Sequence, residues 1–161
     1  MFTVRELKEL AQRLDAEAFE QQLGPFVLVE RPFTRAREVA PKTTRPLTGG
    51  PPRRDVLDFD DLWVATLPPL RDEDEFLIGR TADCDVLLDE DTVSKHHARV
   101  TWARRRAQVE DLGSSNGTKV NGTRLRANTP LSLKDNDALD FGGVRVLFLT
   151  VSTLRKRMGL R

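Results

Sequence analysis

The sequence predicts an all-β domain, a sandwich or barrel, behind a short helical segment and a Pro/Arg-rich connection. Three observations carry this. Short strand-like runs follow one another from Leu62 onward. Turn signals separate them, at Gly113, Asn116-Gly117, Asn121-Gly122, Asp135-Asn136-Asp137 and Gly142-Gly143. No helical periodicity of normal length interrupts the stretch. Many short strands at close spacing are the pattern of sandwiches and barrels.

Residues 3–23 read as one amphipathic helix. Thr3 suits the N-cap, with Glu6 three residues later to complete a capping box. Val4, Leu7, Ala11, Leu14 and Ala18 recur at helical spacing, and Gly24-Pro25 stops the pattern. The apolar run Phe26-Val27-Leu28-Val29 fits a strand or a docking segment. Residues 1–30 are therefore assigned to an N-terminal helical segment and 31–61 to a flexible linker. Pro32, Pro41, Pro46, Pro51 and Pro52 break regular structure there, and Gly49-Gly50 loosens it. Its basic residues read as a solvated face. Asp55, Asp58, Asp60 and Asp61 then reverse the sign.

The β domain is assigned to residues 62–151. Its expected strands lie at 63–67, 76–78, 86–88, 98–103, 109–112, 119–120 and 144–151. Arg104-Arg105-Arg106 is read as an exposed hairpin tip. Residues 152–161 are expected to be a basic tail or a short helix.

Composition narrows the function. The chain has 161 residues and a net charge of +1, so no global field draws it to nucleic acid or to an anionic membrane. No apolar run is long enough to span a bilayer, and the N-terminus lacks the apolar core of a secretory signal. A cytoplasmic protein is expected. The single cysteine, Cys84, excludes an internal disulfide and argues against a thiolate metal site. It stands between Asp83 and Asp85, whose charges disfavour a thiolate nucleophile. His96 and His97 are adjacent and on a strand face opposite ways, so they make no metal pair. No nucleophile and base can be matched. The expectation is a non-enzyme without metal or cofactor.

A binding constellation stands out instead. Gly79-Arg80 closes a strand, Ser94-Lys95-His96-His97 precedes another, and Ser115-Asn116-Gly117-Thr118 follows a third, with Asn121-Gly122 soon after. Clustered at one end of a sandwich, these loops offer a guanidinium, an ammonium, hydroxyls and an amide, all donors to an oxyanion.

The ordered set Gly79-Arg80, Ser94-x-x-His97, Asn116-Gly117-Thr118 and Asn121-Gly122 resembles the forkhead-associated (FHA) domain family. The resemblance covers residues 62–151. It implies a β-sandwich of about eleven strands that binds phosphothreonine peptides through loops at one end. It also implies roles by position. Arg80 and Ser94 donate to the phosphate, and Lys95 adds a point charge. Ser115 frames the phosphothreonine, and Asn116 holds the peptide backbone. Gly79, His97, Gly117, Asn121 and Gly122 support the loops, with Asn121 also readable as an ordinary hairpin residue. Thr92 and the loop at 140–143 are candidate specificity positions.

The expected function is a phosphothreonine-dependent adaptor in Ser/Thr kinase signalling. Its partner would be a phosphothreonine protein such as a kinase or a kinase substrate, with no nucleic acid and no membrane insertion. Thr34, Thr43, Thr44 and Thr48 raise a further expectation, an intramolecular phosphothreonine in the linker. The alternative is a phosphate-independent scaffold that uses the same fold.

Overall fold

The computed structural model describes residues 1–31, 59–68 and 73–160. The linker threonines Thr34, Thr43, Thr44 and Thr48 lie outside them.

The N-terminal helix forms as two. Helix α1 spans Val4–Arg13 and α2 spans Ala16–Leu23. The expected capping box opens α1: Glu6 N–H donates to Thr3 Oγ1, and Thr3 N–H donates to Glu6 Oε2 at 2.6 Å. The break has a local cause. Leu14 is extended, and Asp15 caps α2 by accepting from Ala18 N–H at 2.8 Å. An aspartate favours that cap over the helix interior.

Two sheets follow. The first has seven strands: β1 (Phe2–Thr3), β2 (Phe26–Glu30), β3 (Trp63–Thr66), β8 (Thr118–Val120), β9 (Thr123–Arg124), β11 (Ala138–Phe141) and β12 (Val144–Thr150). Their order across the sheet is β1-β3-β2-β12-β11-β8-β9. The second sheet, ordered β10-β7-β6-β4-β5, holds β4 (Glu73–Gly79), β5 (Val86–Leu87), β6 (Ala98–Ala103), β7 (Arg106–Asp111) and β10 (Leu131–Ser132). Together they form a twelve-strand sandwich, one more than the expected eleven.

Strand β2 corrects the expected start of the sandwich at residue 62. It lies between β12 and β3, pairing Phe26 to Thr150 on one side and Leu28 to Ala65 on the other. The continuous apolar run is explained by burial on both faces. Phe26 and Leu28 enter the core between the sheets, while Val27 and Val29 enter a second core. Residues 31–61 therefore connect two neighbouring strands of one sheet.

The second core lies on the outer face of the seven-stranded sheet. Val4 and Leu7 of α1 and Phe19 and Leu23 of α2 pack there with Val64 and Leu149. A third helix, α3 (Val151–Arg157), adds Val151 and Leu154, and Met158 follows it into the same core. Residues 152–160 are thus anchored, because this segment hides an apolar edge behind its basic residues. The molecule has three layers: helices, sheet, sheet.

The hairpin turns at Arg104-Arg105, both with positive φ, while Arg106, expected in the tip, is the first residue of β7 and pairs with Ala103.

Candidate functional site

Four loops meet at one end of the sandwich, and hydrogen bonds hold them together. Arg80 is the first residue after β4. Its N–H is shared by the carbonyls of Ser94 and Lys95, each at 3.1 Å. This close approach explains Gly79: a Cβ there would stand 2.0 Å from the Lys95 oxygen. Gly79 supplies room rather than a turn.

The Ser94 loop joins the Ser115 loop directly. Ser115 N–H donates to Ser94 Oγ at 3.0 Å. The half-buried Ser94 hydroxyl keeps its own proton, with no acceptor among the described residues. The Arg80 guanidinium is similarly uncommitted. Its one ion pair among the described residues is a 3.5 Å contact to Asp91, which is fully exposed. Lys95 is exposed, and its ammonium has no partner among the described residues. These groups offer donors toward an anion without leaving buried structural partners behind.

His97 is the brace beneath them. It is wholly buried. Ser94 N–H donates to Nδ1 at 3.0 Å, which fixes the tautomer, so Nε2–H donates to the Gly117 carbonyl, also at 3.0 Å. One imidazole thus ties the Ser94 loop to the Asn116 loop and packs edge-on against Phe141. Burial pulls its pKa below the ordinary histidine value, against smaller opposing effects of the Gly117 carbonyl and Asp111. The neutral ring is the form this bonding needs.

Asn116 donates from Nδ2 to the Thr92 carbonyl at 2.8 Å. Thr92 also accepts, through Oγ1, from Gly143 N–H at 2.7 Å. Gly142 N–H reaches the Gly117 carbonyl at 3.2 Å. Thr92 is therefore the junction of three loops. Gly117 has φ +81° and Gly142 φ +58°, conformations that glycine adopts without strain.

Sequence reasoning missed the cradle under the Asn116 loop. Asp111 is buried at the end of β7 and accepts from Gly113 N–H, Ser114 N–H, Ser114 Oγ and Thr118 Oγ1 at 2.6–3.0 Å. Ser114 Oγ in turn accepts from Gly117 N–H. Burial pushes the Asp111 carboxyl up, but the hydroxyls of Ser114 and Thr118, with the two backbone donors, outweigh it and hold it below the ordinary range. The signal was Asp111-x-Gly113-Ser114, an aspartate positioned to bond backbone two and three residues on.

The two Asn-Gly pairs take different roles. Asn121 and Gly122 both have positive φ and form a tight hairpin at the far end of β8 from Gly117. Asn121 donates to Asp137 and accepts from Ala138 N–H. It fastens that hairpin to the start of β11 and makes no bond to the four loops. Asp140 is buried and forked by Arg145 at 2.5 and 2.8 Å, so it holds the β11–β12 hairpin.

A family model, that of the FHA domain, matches residues 76–142. This chain carries an FHA domain. Over 83 residues it is 37% identical to the oxoglutarate dehydrogenase inhibitor of Corynebacterium jeikeium, covering 52% of this chain and 56% of that one. Over 81 residues it is 37% identical to the glycogen accumulation regulator GarA of Mycolicibacterium smegmatis, covering 50% and 49%. The chain thus matches about half the length of these curated relatives. The fold is shared with the FHA domain of the CT664 protein from Chlamydia trachomatis, with a TM-score of 0.51 and 19% identity over 78% of this chain and 97% of that one. An Arabidopsis thaliana FHA domain gives 0.52 and 20% over 80% and 88%. The four loops described above fall between the ends of the FHA match or directly beside it.

Proposed function

We propose that this protein is a phosphothreonine-dependent adaptor in Ser/Thr kinase signalling. The observation that carries the reading is the pairing of two available donors: the Ser94 hydroxyl, which accepts from Ser115 N–H with its own proton unused, and the Arg80 guanidinium, whose main chain is fixed by the Ser94 and Lys95 carbonyls while its side chain makes a 3.5 Å contact to exposed Asp91. Arg80 and Ser94 would bind the phosphate, Lys95 would add charge, and Ser115 and Asn116 would align the peptide. The names of the relatives, an enzyme inhibitor and a metabolic regulator, support a binding role over a catalytic one. The partner would be a cytoplasmic protein bearing phosphothreonine, either a kinase or a kinase substrate.

The N-terminal extension does not favour the scaffold alternative, since its strand and helices complete the sheet and the second core.

Hydrogen bonds to a charged group contribute about 1.5–3 kcal/mol each. Arg80→Ala should therefore weaken phosphothreonine-peptide binding at least about tenfold. The test is a degenerate phosphothreonine peptide library, read beside matched phosphoserine and unphosphorylated libraries. Equal capture by wild type and Arg80→Ala would defeat the reading.

A further inference from the structure

The fold brings together three donor atoms beside the phosphate loops. Asp83 and Cys84 lie in the β4–β5 loop, and His96 lies in the loop before β6. A carboxylate oxygen of Asp83, Cys84 Sγ and a ring nitrogen of His96 lie within 4.8 Å of one another. Asp83 Oδ2 and His96 Nε2 already face each other at 2.6 Å. Both side chains are more than half exposed, whereas Cys84 is buried.

We propose that Asp83, Cys84 and His96 form a binding site for a divalent transition metal ion of the zinc class. The donor set selects the metal. A sulfur, an imidazole nitrogen and a carboxylate oxygen suit Zn²⁺, whereas Mg²⁺ and Ca²⁺ require oxygen donors throughout. The spacing suits it too. Ligands about 2.0–2.3 Å from a shared tetrahedral ion stand roughly 3–4 Å apart, which small side-chain rotations reach from the present positions.

The adjoining groups are consistent with ligation. Cys84 Sγ–H donates to the Lys95 carbonyl at 3.3 Å. On binding, that proton passes to solvent and the thiolate bonds the metal. A bound dication favours the thiolate over the thiol. His97 takes no part, because Ser94 and Gly117 occupy both of its ring nitrogens. Three protein ligands leave one tetrahedral position for water.

The consequence is regulatory and rests on the phosphopeptide reading. The ion would link the loop that begins at Arg80 to the loop that carries Ser94 and Lys95. Peptide would then bind a pre-ordered pair of loops more tightly when metal is present.

The experiment titrates the full chain with Co²⁺ alone, without peptide. Expected are visible ligand-field bands and a near-ultraviolet sulfur-to-cobalt band, both displaced by Zn²⁺. Cys84→Ser should abolish the sulfur band. Should that buried variant fail to fold, His96→Gln and Asp83→Asn change exposed groups and should each weaken Co²⁺ binding at least about tenfold. Absence of the sulfur band, or wild-type affinity in both His96→Gln and Asp83→Asn, overturns the site. Phosphothreonine-peptide affinity is then measured with and without Zn²⁺. Equal affinities overturn the coupling. Metal binding without any peptide binding overturns the reader function and leaves the metal site standing.

Discussion

His97 shows how much one side chain can decide. It accepts from Ser94 N–H and donates to the Gly117 carbonyl, so its two nitrogens join the loops that carry the donors. His97→Ala leaves both backbone groups unpaired beside a cavity and should cost about 2–4 kcal/mol of stability. Urea unfolding measures it. The same residue gives a pH signature. Burial lowers its folded pKa, so as pH falls through about 6.5 the unfolded chain takes up the proton first. Stability from this residue is present above that pH and declines as the solution is acidified toward the folded pKa. Unfolding free energies at pH 7.5 and 5.5 should differ more for wild type than for His97→Ala; an equal difference removes His97 as the cause.

At the scale of elements, the end of β4 is the tightest point of the site. Gly79→Ala sets a methyl 2.0 Å from the Lys95 carbonyl oxygen and 2.8 Å from its carbon, which are backbone atoms that cannot swing aside. The strand end and the Ser94 loop must separate. Overpacking of this kind costs about 1–3 kcal/mol, and phosphopeptide affinity should fall with it because Arg80 N–H loses its two acceptors. Calorimetry with a phosphothreonine peptide, beside a thermal melt, reads both. Unchanged affinity at lowered stability would show that the loop tolerates the shift. On the other side of the site, Thr92→Val keeps the shape but removes the Oγ1 acceptor of Gly143 N–H. It should loosen the 142–143 loop and cost about 1 kcal/mol, while Asn116 keeps its bond to the Thr92 carbonyl.

The whole molecule depends on its N-terminal residues. Strand β2 separates β12 from β3, and Phe26, Val27, Leu28 and Val29 are each no more than 1% exposed. Burial of such side chains contributes about 1.5–3 kcal/mol apiece, so together they match much of the stability of a domain this size. A chain that starts at residue 62 should therefore fail to unfold cooperatively in thermal circular dichroism. A chain that starts at 25 keeps every sandwich strand except β1 and loses the α1 and α2 side of the second core. It should retain β structure at a lower melting temperature. A cooperative, wild-type melt from the chain starting at 62 would refute this role for β2.

The sequence by itself determined what is local. Alternation and turn residues marked the run at 98–103 as a strand, and the structure places β6 at Ala98–Ala103. The capping box at Thr3 and the stop at Gly24 were legible because their partners lie within a few residues. The ordered motif from Gly79 to Asn116 named the donor groups. Short strands such as Leu131–Ser132 escaped notice, since two residues carry no period. Only the tertiary structure decided which distant segments meet. It set Phe26–Glu30 into the sheet across the length of the linker, and it gave one Asn-Gly pair to the four joined loops and the other to a remote hairpin. It also brought His96 against Asp83. Those outcomes depend on pairing partners far apart in the chain. Packing and register select such partners, and no local pattern of residues records them.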